Sequence, residues 1–309
     1  MAVAPRLVAL RALGLGDFLT AIPALRALGR AFPDHARALA APAALAPLAE
    51  LVGWPLVPSA ELEPLSRRLH RADLTVNLHG RGPQSHRLVQ AARPRRAVWF
   101  AHAEVPESEG SPAWRAGEHE VERWCRLLSE SGVHADPAEL ILPPPDGEPP
   151  AGARGATLVH PGAASPARRW PPDRFAAVAR VEAANGRNVL ITGSHAELPL
   201  ALMVAGGAGL PRANILAGST ELTDLARLVA AAGRVVCGDT GVAHLATALG
   251  TPSVIVFGPT SPAEWGPPAG RTRHRALWRG RRGDPHARRT DPGLLDISAA
   301  EVIRALELA

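Results

Sequence analysis

ALRALGLGDFLTAIPALRAL, residues 9–28, sets the reading of the chain. The apolar run at 6–10 reads as a strand. It gives way to Gly14-Leu15-Gly16, and Asp17 then stands at the mouth of a helical pattern over 18–31. A strand feeding a helix through a glycine turn is how an open α/β sheet begins. The turn matches the first half of a GxGxxG dinucleotide fingerprint, but position 19 is Leu, so the fingerprint is incomplete. Asp17 has two readings. It can cap the helix, a contribution of about 1 kcal/mol, or it can be a reactive carboxylate at a strand's carboxyl end, where such sheets bind ligands. The glycines let another molecule approach the backbone closely.

Working outward, the alternation continues. Strands are expected at ARALAA (36–41), PLVP (55–58), 73–80 and 96–101, with helices at 42–52, 82–92 and 118–130. LPPPDGEPPAGARGA (142–156) interrupts with five prolines and three glycines and reads as a linker. A second alternation follows: strands at 156–160, 188–193, 214–218, 234–238 and 253–258, helices at 172–185, 197–205, 221–232 and 241–249. Residues 266–295 read as an arginine-rich loop, and Ser298-x-x-Glu301 opens a final helix as a capping box. Two halves of parallel α/β type result.

Composition narrows the function. The 309 residues are 46% hydrophobic and 20% charged, a globular mixture. All 34 basic residues are arginine, and the net charge of +5 suits anionic partners such as phosphates, acidic glycans or lipid headgroups. Cys125 and Cys237 form no CxxC pair, which fits a reducing compartment and argues against a disulfide framework or a cysteine zinc site. Neither a signal peptide nor an apolar run of about 18 residues is present, so a cytoplasmic protein is expected, with peripheral contact at the inner membrane face left open. No HExxH, Walker lysine or DxD motif occurs, so no metal is expected. The run 271–289 holds eight arginines but no nucleic-acid module accompanies it. It reads as a solvated flap or one touching anionic lipid or glycan.

Two further stretches lie at strand ends. In HPGAASPARRWPPDRF (160–175), Gly162, Ala163, Ala164 and Ser165 make a loop of little bulk, with Arg168 and Arg169 beside it. Backbone N–H groups next to a guanidinium suit a diphosphate; an ordinary surface loop is the other reading. In GDTGVAHLATALGTPSVIVFGPT (238–260), Asp239, Thr240 and Gly241 open a helix whose first N–H groups, those of Gly241 and Val242, favour an anion. His244 faces the same ligand or simply packs. Glu197 suits ribose hydroxyls or acts as a first-turn acid. Arg81, Ser85 and Arg87 suit an acidic acceptor or form a solvated turn.

LGDFLTAIPALRAL (15–28), HPGAASPARRWPPDRFAAVA (160–179) and GDTGVAHLATALGTPSVIVFGPTSPAEWGP (238–267) occur in register. Together they make the chain resemble the bacterial ADP-heptose:lipopolysaccharide heptosyltransferases, glycosyltransferase family 9. TDPGLLDISAAEVIRAL (290–306) resembles the family's ending less strongly. The resemblance implies a GT-B architecture of two Rossmann-like domains facing across a cleft. Residues 1–145 would bind the acceptor, 151–297 the nucleotide sugar, and the closing helix 298–309 would return to the N-terminal domain. It implies Asp17 as catalytic base and Gly162, Ser165, Arg168, Asp239, Thr240, Gly241 and His244 as the donor side. Glu197 would bind ribose, and Gly16, Arg81, Ser85 and Arg87 would face the acceptor. Arg168 stands where the family usually has lysine, which keeps the charge and changes its geometry. The expected activity is inverting, metal-independent transfer with no cofactor, from a nucleotide sugar, ADP-linked, to an envelope glycan or glycolipid. A nucleotide-sugar epimerase and a non-catalytic nucleotide- or glycan-binding protein are the alternatives.

Overall fold

The computed structural model describes residues 4–308, and the chain parts into two compact units, Met1–Leu142 and Pro143–Ala309. Positions 1–3 and 309, which the leader reading and the closing-helix range include, lie outside the described residues.

In the first unit the order is β1 (Arg6–Leu10), α1 (Leu15–Thr20), α2 (Ile22–Ala31), β2 (Ala36–Ala41), α3 (Ala46–Leu51), β3 (Leu56–Pro58), β4 (Leu74–Asn77), α4 (Gln84–Ala92), β5 (Arg96–Val98) and α5 (Glu120–Glu130). All pairings are parallel, in the order β3-β2-β1-β4-β5. Leu7, Val8, Ala9 and Leu10 are buried because helices cover both faces of a parallel sheet. The helix expected at 18–31 divides into α1 and α2, with Pro23 in the first turn of α2, where its missing N–H costs nothing. The strand order reverses between β1 and β4. Loops leaving these two strands diverge to opposite faces and open a crevice at their carboxyl ends.

The second unit holds β6 (Thr157–His160), α6 (Pro172–Ala184), β7 (Val189–Ile191), α7 (Leu198–Ala208), α8 (Leu222–Ala231), β8 (Arg234–Gly238), α9 (Gly241–Leu249), β9 (Ser253–Val256), α10 (Pro262–Trp265), β10 (His274–Leu277), α11 (Pro292–Leu295) and α12 (Ala299–Glu307). Its parallel order is β10-β9-β8-β6-β7. Numbered within the unit this is 5-4-3-1-2, the flavodoxin-like order, and its crevice opens between β6 and β8.

Three expectations change. The strand expected at 214–218 is a single bridge, Ile191 to Ile215, because a 3-10 turn ends at Asn214 and Gly218 adopts φ +78°. The segment expected to be a solvated loop contains β10, and its arginines are tied down. Arg273 donates to the Gly250 carbonyl (2.8 Å) and Arg275 to that of Leu308 (2.9 Å). Arg279 forks onto both Glu301 oxygens at 2.6 and 2.7 Å. Arg281 pairs with Asp296 and Arg282 with Glu264. Arg279 and the Ser298 cap hold the Glu301 carboxyl down to about 2. Arg288 and Arg289 stay exposed. Lastly, where the closing helix is expected to return to the N-terminal domain, α12 buries Val302 and Leu306 in the second unit's core, against α6 and β9. The Ser298–Glu301 capping box forms as read. Among the described residues no helix is long and apolar enough to cross a membrane.

Candidate functional site

Each crevice carries one group of the sequence motifs. At the β1/β4 crevice, α1 starts from Gly14, whose extended backbone caps it with no side-chain hydrogen bond. Asp17 lies in the first turn with its side chain 30% exposed. Its carboxylate caps nothing; its partner is Arg11, with Nη2 3.4 Å from Oδ1. Arg11 follows β1, is 1% exposed, and also donates from Nε to the Asp17 main-chain carbonyl at 2.9 Å. Arg11 was not singled out in the sequence, since nothing in its local pattern marks a buried cation.

The facing loop, after β4, is built on a polar knot. Asn77 Nδ2 donates to Ser85 Oγ (3.0 Å) and to His86 Nδ1 (3.2 Å), and its Oδ1 accepts the His79 N–H. His86 Nδ1 is then the acceptor nitrogen, which leaves Nε2–H to donate to the Phe100 carbonyl at 2.7 Å. Ser85 is buried, with Asn77 holding its hydroxyl in place. Arg87 pairs with Glu104 at 3.0 Å on the exposed side of α4. Arg81 stays exposed in the loop and Gly16 half-buried in α1. His79 is a residue the motif reading missed. Burial, with Arg11 nearby, pushes its imidazole down to about 4, so it is neutral at pH 7, and its buried Nδ1 has no hydrogen-bond partner among the described residues.

At the β6/β8 crevice, Arg168 and Asp239 come together. Arg168 Nη1 is 4.0 Å from Asp239 Oδ2 and 3.5 Å from its carbonyl. Asp239 is buried and the Arg168 side chain 23% exposed. Thr240 is the N-cap of α9, its Oγ1 accepting the Val242 N–H at 3.2 Å. That engages one of the two N–H groups read as anion donors and leaves the one of Gly241. His244 packs edge-on against Trp265 at 5.9 Å. Ser165 is buried, its hydroxyl donating to the Pro285 carbonyl at 2.5 Å. It pins the 285–291 segment to the loop, as do Ala167 N–H to Ala287 and Asp291 N–H to Ala167. Ser165 thus anchors the 285–291 segment.

Glu197 acts as the first-turn acid its position allowed. It closes a capping box, with Ser194 N–H (2.7 Å) and Oγ–H (2.9 Å) on Oε2. Oε1 lies over Gly162: a Cβ there would fall 2.0 Å from it. Burial raises the Glu197 carboxyl, but the two Ser194 bonds, His160 and Arg169 outweigh it, and it stays below its ordinary value. Burial pushes the neighbouring His160 down against the pull of Glu197, and its Nδ1 meets Thr192 Oγ1 at 3.0 Å. The bare Gly162 is thus a condition for where Glu197 lies. Gly162→Ala is expected to displace the carboxylate and lower Tm by a few degrees, roughly the loss of one capping interaction. It is also expected to weaken nucleotide binding as much as Glu197→Gln does. Calorimetry on both variants tests this; a Gly162→Ala protein that binds nucleotide normally excludes Glu197 from the site. Among the described residues no cluster of three or more His, Cys, Asp or Glu is placed to hold a metal ion.

Comparison with known proteins agrees with this arrangement. The model of glycosyltransferase family 9 (heptosyltransferase) matches residues 111–292, more than half the chain. Lipooligosaccharide heptosyltransferase 2 of Haemophilus influenzae is 34% identical over 108 residues, 33% of this chain. That match spans only 30% of the relative's length. The structure of Escherichia coli ADP-heptose lipopolysaccharide heptosyltransferase II superposes with TM-score 0.76 and 21% identity, over 98% of this chain and 97% of that one. E. coli heptosyltransferase WaaC with ADP gives 0.72 and 20%, over 98% and 99%. The fold is thus GT-B, two Rossmann-like α/β domains, and the family match covers the whole β6/β8 crevice. The chain belongs to glycosyltransferase family 9, the heptosyltransferase family.

Proposed function

We propose that the chain is an inverting, metal-independent glycosyltransferase. It moves a heptose-like sugar from an ADP-linked donor to a glycan or glycolipid of the cell envelope, in the cytoplasm and at the inner membrane face. The observation that carries this reading is the Asp17 carboxylate: partly exposed at a sheet switch point, and serving no cap.

In the reaction, Asp17 takes the proton of an acceptor hydroxyl as that oxygen bonds to the anomeric carbon. The bond from that carbon to the diphosphate oxygen breaks, and its electron pair leaves with the diphosphate. Attack opposite the leaving group inverts the anomeric centre. Arg168 and the Gly241 N–H at the start of α9 supply the positive ends that meet the growing charge, without calling on a metal. Glu197 holds the ribose. The ADP assignment draws on family membership and on the E. coli enzyme whose structure contains ADP.

The test is calorimetric titration of ADP, GDP and UDP in excess EDTA, followed by incubation with ADP-heptose. ADP is expected to bind at least about tenfold tighter than the other two, since a site built to hydrogen-bond one base leaves polar groups unpaired with another. Donor is expected to be consumed only when acceptor glycolipid is added. Absence of nucleotide binding points to a degenerate binding protein. Conversion of the donor alone points to an epimerase.

A further inference from the structure

The Arg11 guanidinium holds Asp17 at two points, main chain and side chain, and is itself fully committed. Besides the Nε bond to the Asp17 carbonyl and the Nη2 contact to Oδ1, Nη1 donates to the Leu78 carbonyl. Nη2 also donates to Thr20 Oγ1 and to Glu120 Oε1, both at 3.1 Å. The group lies 4.7 Å over the Trp124 ring. A buried cation with this many partners has one orientation. Asp17 therefore keeps one rotamer, and its Oδ2 carries no hydrogen bond among the described residues.

Glu120 is just as fixed. Its side chain is 6% exposed; Trp124 Nε1 donates to Oε1 at 3.0 Å and Arg123 donates to Oε2. Arg123 in turn stacks 4.1 Å over Trp114 and donates to the Arg115 and Glu118 carbonyls. Arg11 thus has a permanent counter-charge other than Asp17. When Asp17 takes a proton and becomes neutral, Glu120 still balances Arg11, while Arg123, which also donates to Glu120, keeps Glu118 3.9 Å from its Nε as its own counter-charge.

We propose that Arg11 is the positioning residue for Asp17, and that Glu120, 109 positions away on α5, fixes Arg11 and balances its charge through the proton transfer. The inference rests on reading Asp17 as the base. It deepens that reading by naming what orients the free oxygen.

Removing one member of a buried ion pair strands the other, whereas removing both is tolerated far better. The test therefore compares Arg11→Met/Glu120→Gln, Glu120→Gln, Arg11→Lys and Asp17→Asn for kcat, donor KM and Tm. The double variant is expected to lose on the order of 10²-fold in kcat, the effect of a base displaced by about 1 Å. Its donor KM is expected to stay within about threefold, since only transition-state geometry is lost. Glu120→Gln keeps a carbonyl for Trp124 and is expected to lose roughly three- to tenfold in kcat at the same KM, a looser hold on the same base. Arg11→Lys keeps the charge without the fork and is expected to recover about tenfold over the double variant.

Wild-type kcat in the double variant overturns the proposal. So does wild-type kcat in Glu120→Gln should the double variant not fold, and so does a loss confined to donor KM, or an Arg11→Lys no better than the double variant. If Asp17→Asn keeps full turnover, the reading of the base fails first. An inactive Asp17→Asn beside unaffected Arg11 and Glu120 variants removes the positioning role alone.

Discussion

Asp17→Asn is expected to fold as the wild type does and to lose roughly 10²–10⁴-fold in transfer rate, the usual contribution of a positioned general base. The change is nearly isosteric. The amide oxygen can still accept from Arg11, and α1 loses no cap because Gly14 caps it without any side-chain bond. A first-turn acid contributes about 0.3–1 kcal/mol through the helix dipole, so Tm is expected to move by only a few degrees. What disappears is the ability to hold a proton. Paired measurement of Tm and turnover separates the two roles: a variant that keeps both demotes Asp17 to a structural acid, and one that loses both shows a folding defect.

Arg168→Ala is the second large effect. Arg168 Nη1 lies 4.0 Å from Asp239 Oδ2 in the second crevice, and its buried Nε has no hydrogen-bond partner among the described residues. On the proposed reading this guanidinium meets the leaving diphosphate and acts more strongly as charge builds there, so both binding and rate are expected to depend on it. Transfer is expected to fall roughly 10²–10³-fold, with donor KM also rising, as when one preorganised donor to a developing anion is removed. Arg168→Lys keeps a point charge and is expected to retain most of the rate. Steady-state kinetics against ADP-heptose decide it. Unchanged kinetics in the alanine variant would take Arg168 out of the donor site.

Local pattern carried most of the frame. Strands such as Arg6–Leu10 and Ser253–Val256 are short apolar runs ended by glycine turns, and the three loops that matter follow such strands. Hidden from it was whatever depended on a distant partner. Arg11 looks like any surface arginine until Glu120 closes on it from 109 positions away. Gly162 looks like one more small loop residue until Glu197 covers it. Hydroxyls carry a second role that local pattern does not show. Ser85, Ser165 and Thr240 all stand in ligand-like loops, yet each is engaged by the protein itself, because short polar side chains bond readily to nearby backbone and amide groups. β10 was missed because HRAL is four residues long, flanked by arginines, and lies at a sheet edge.

The place of α12 bears on how the protein is made. The elements of the first unit are complete by Leu142, so that unit can fold while translation continues. The second needs Val302 and Leu306 to close its core, and Leu306 follows Leu142 by 306 − 142 = 164 positions. At roughly 5–20 residues per second of synthesis, the nascent second unit waits on the order of 10–30 s with apolar surface uncovered. Transiently uncovered apolar surface of this kind is what chaperones cover and what aggregates.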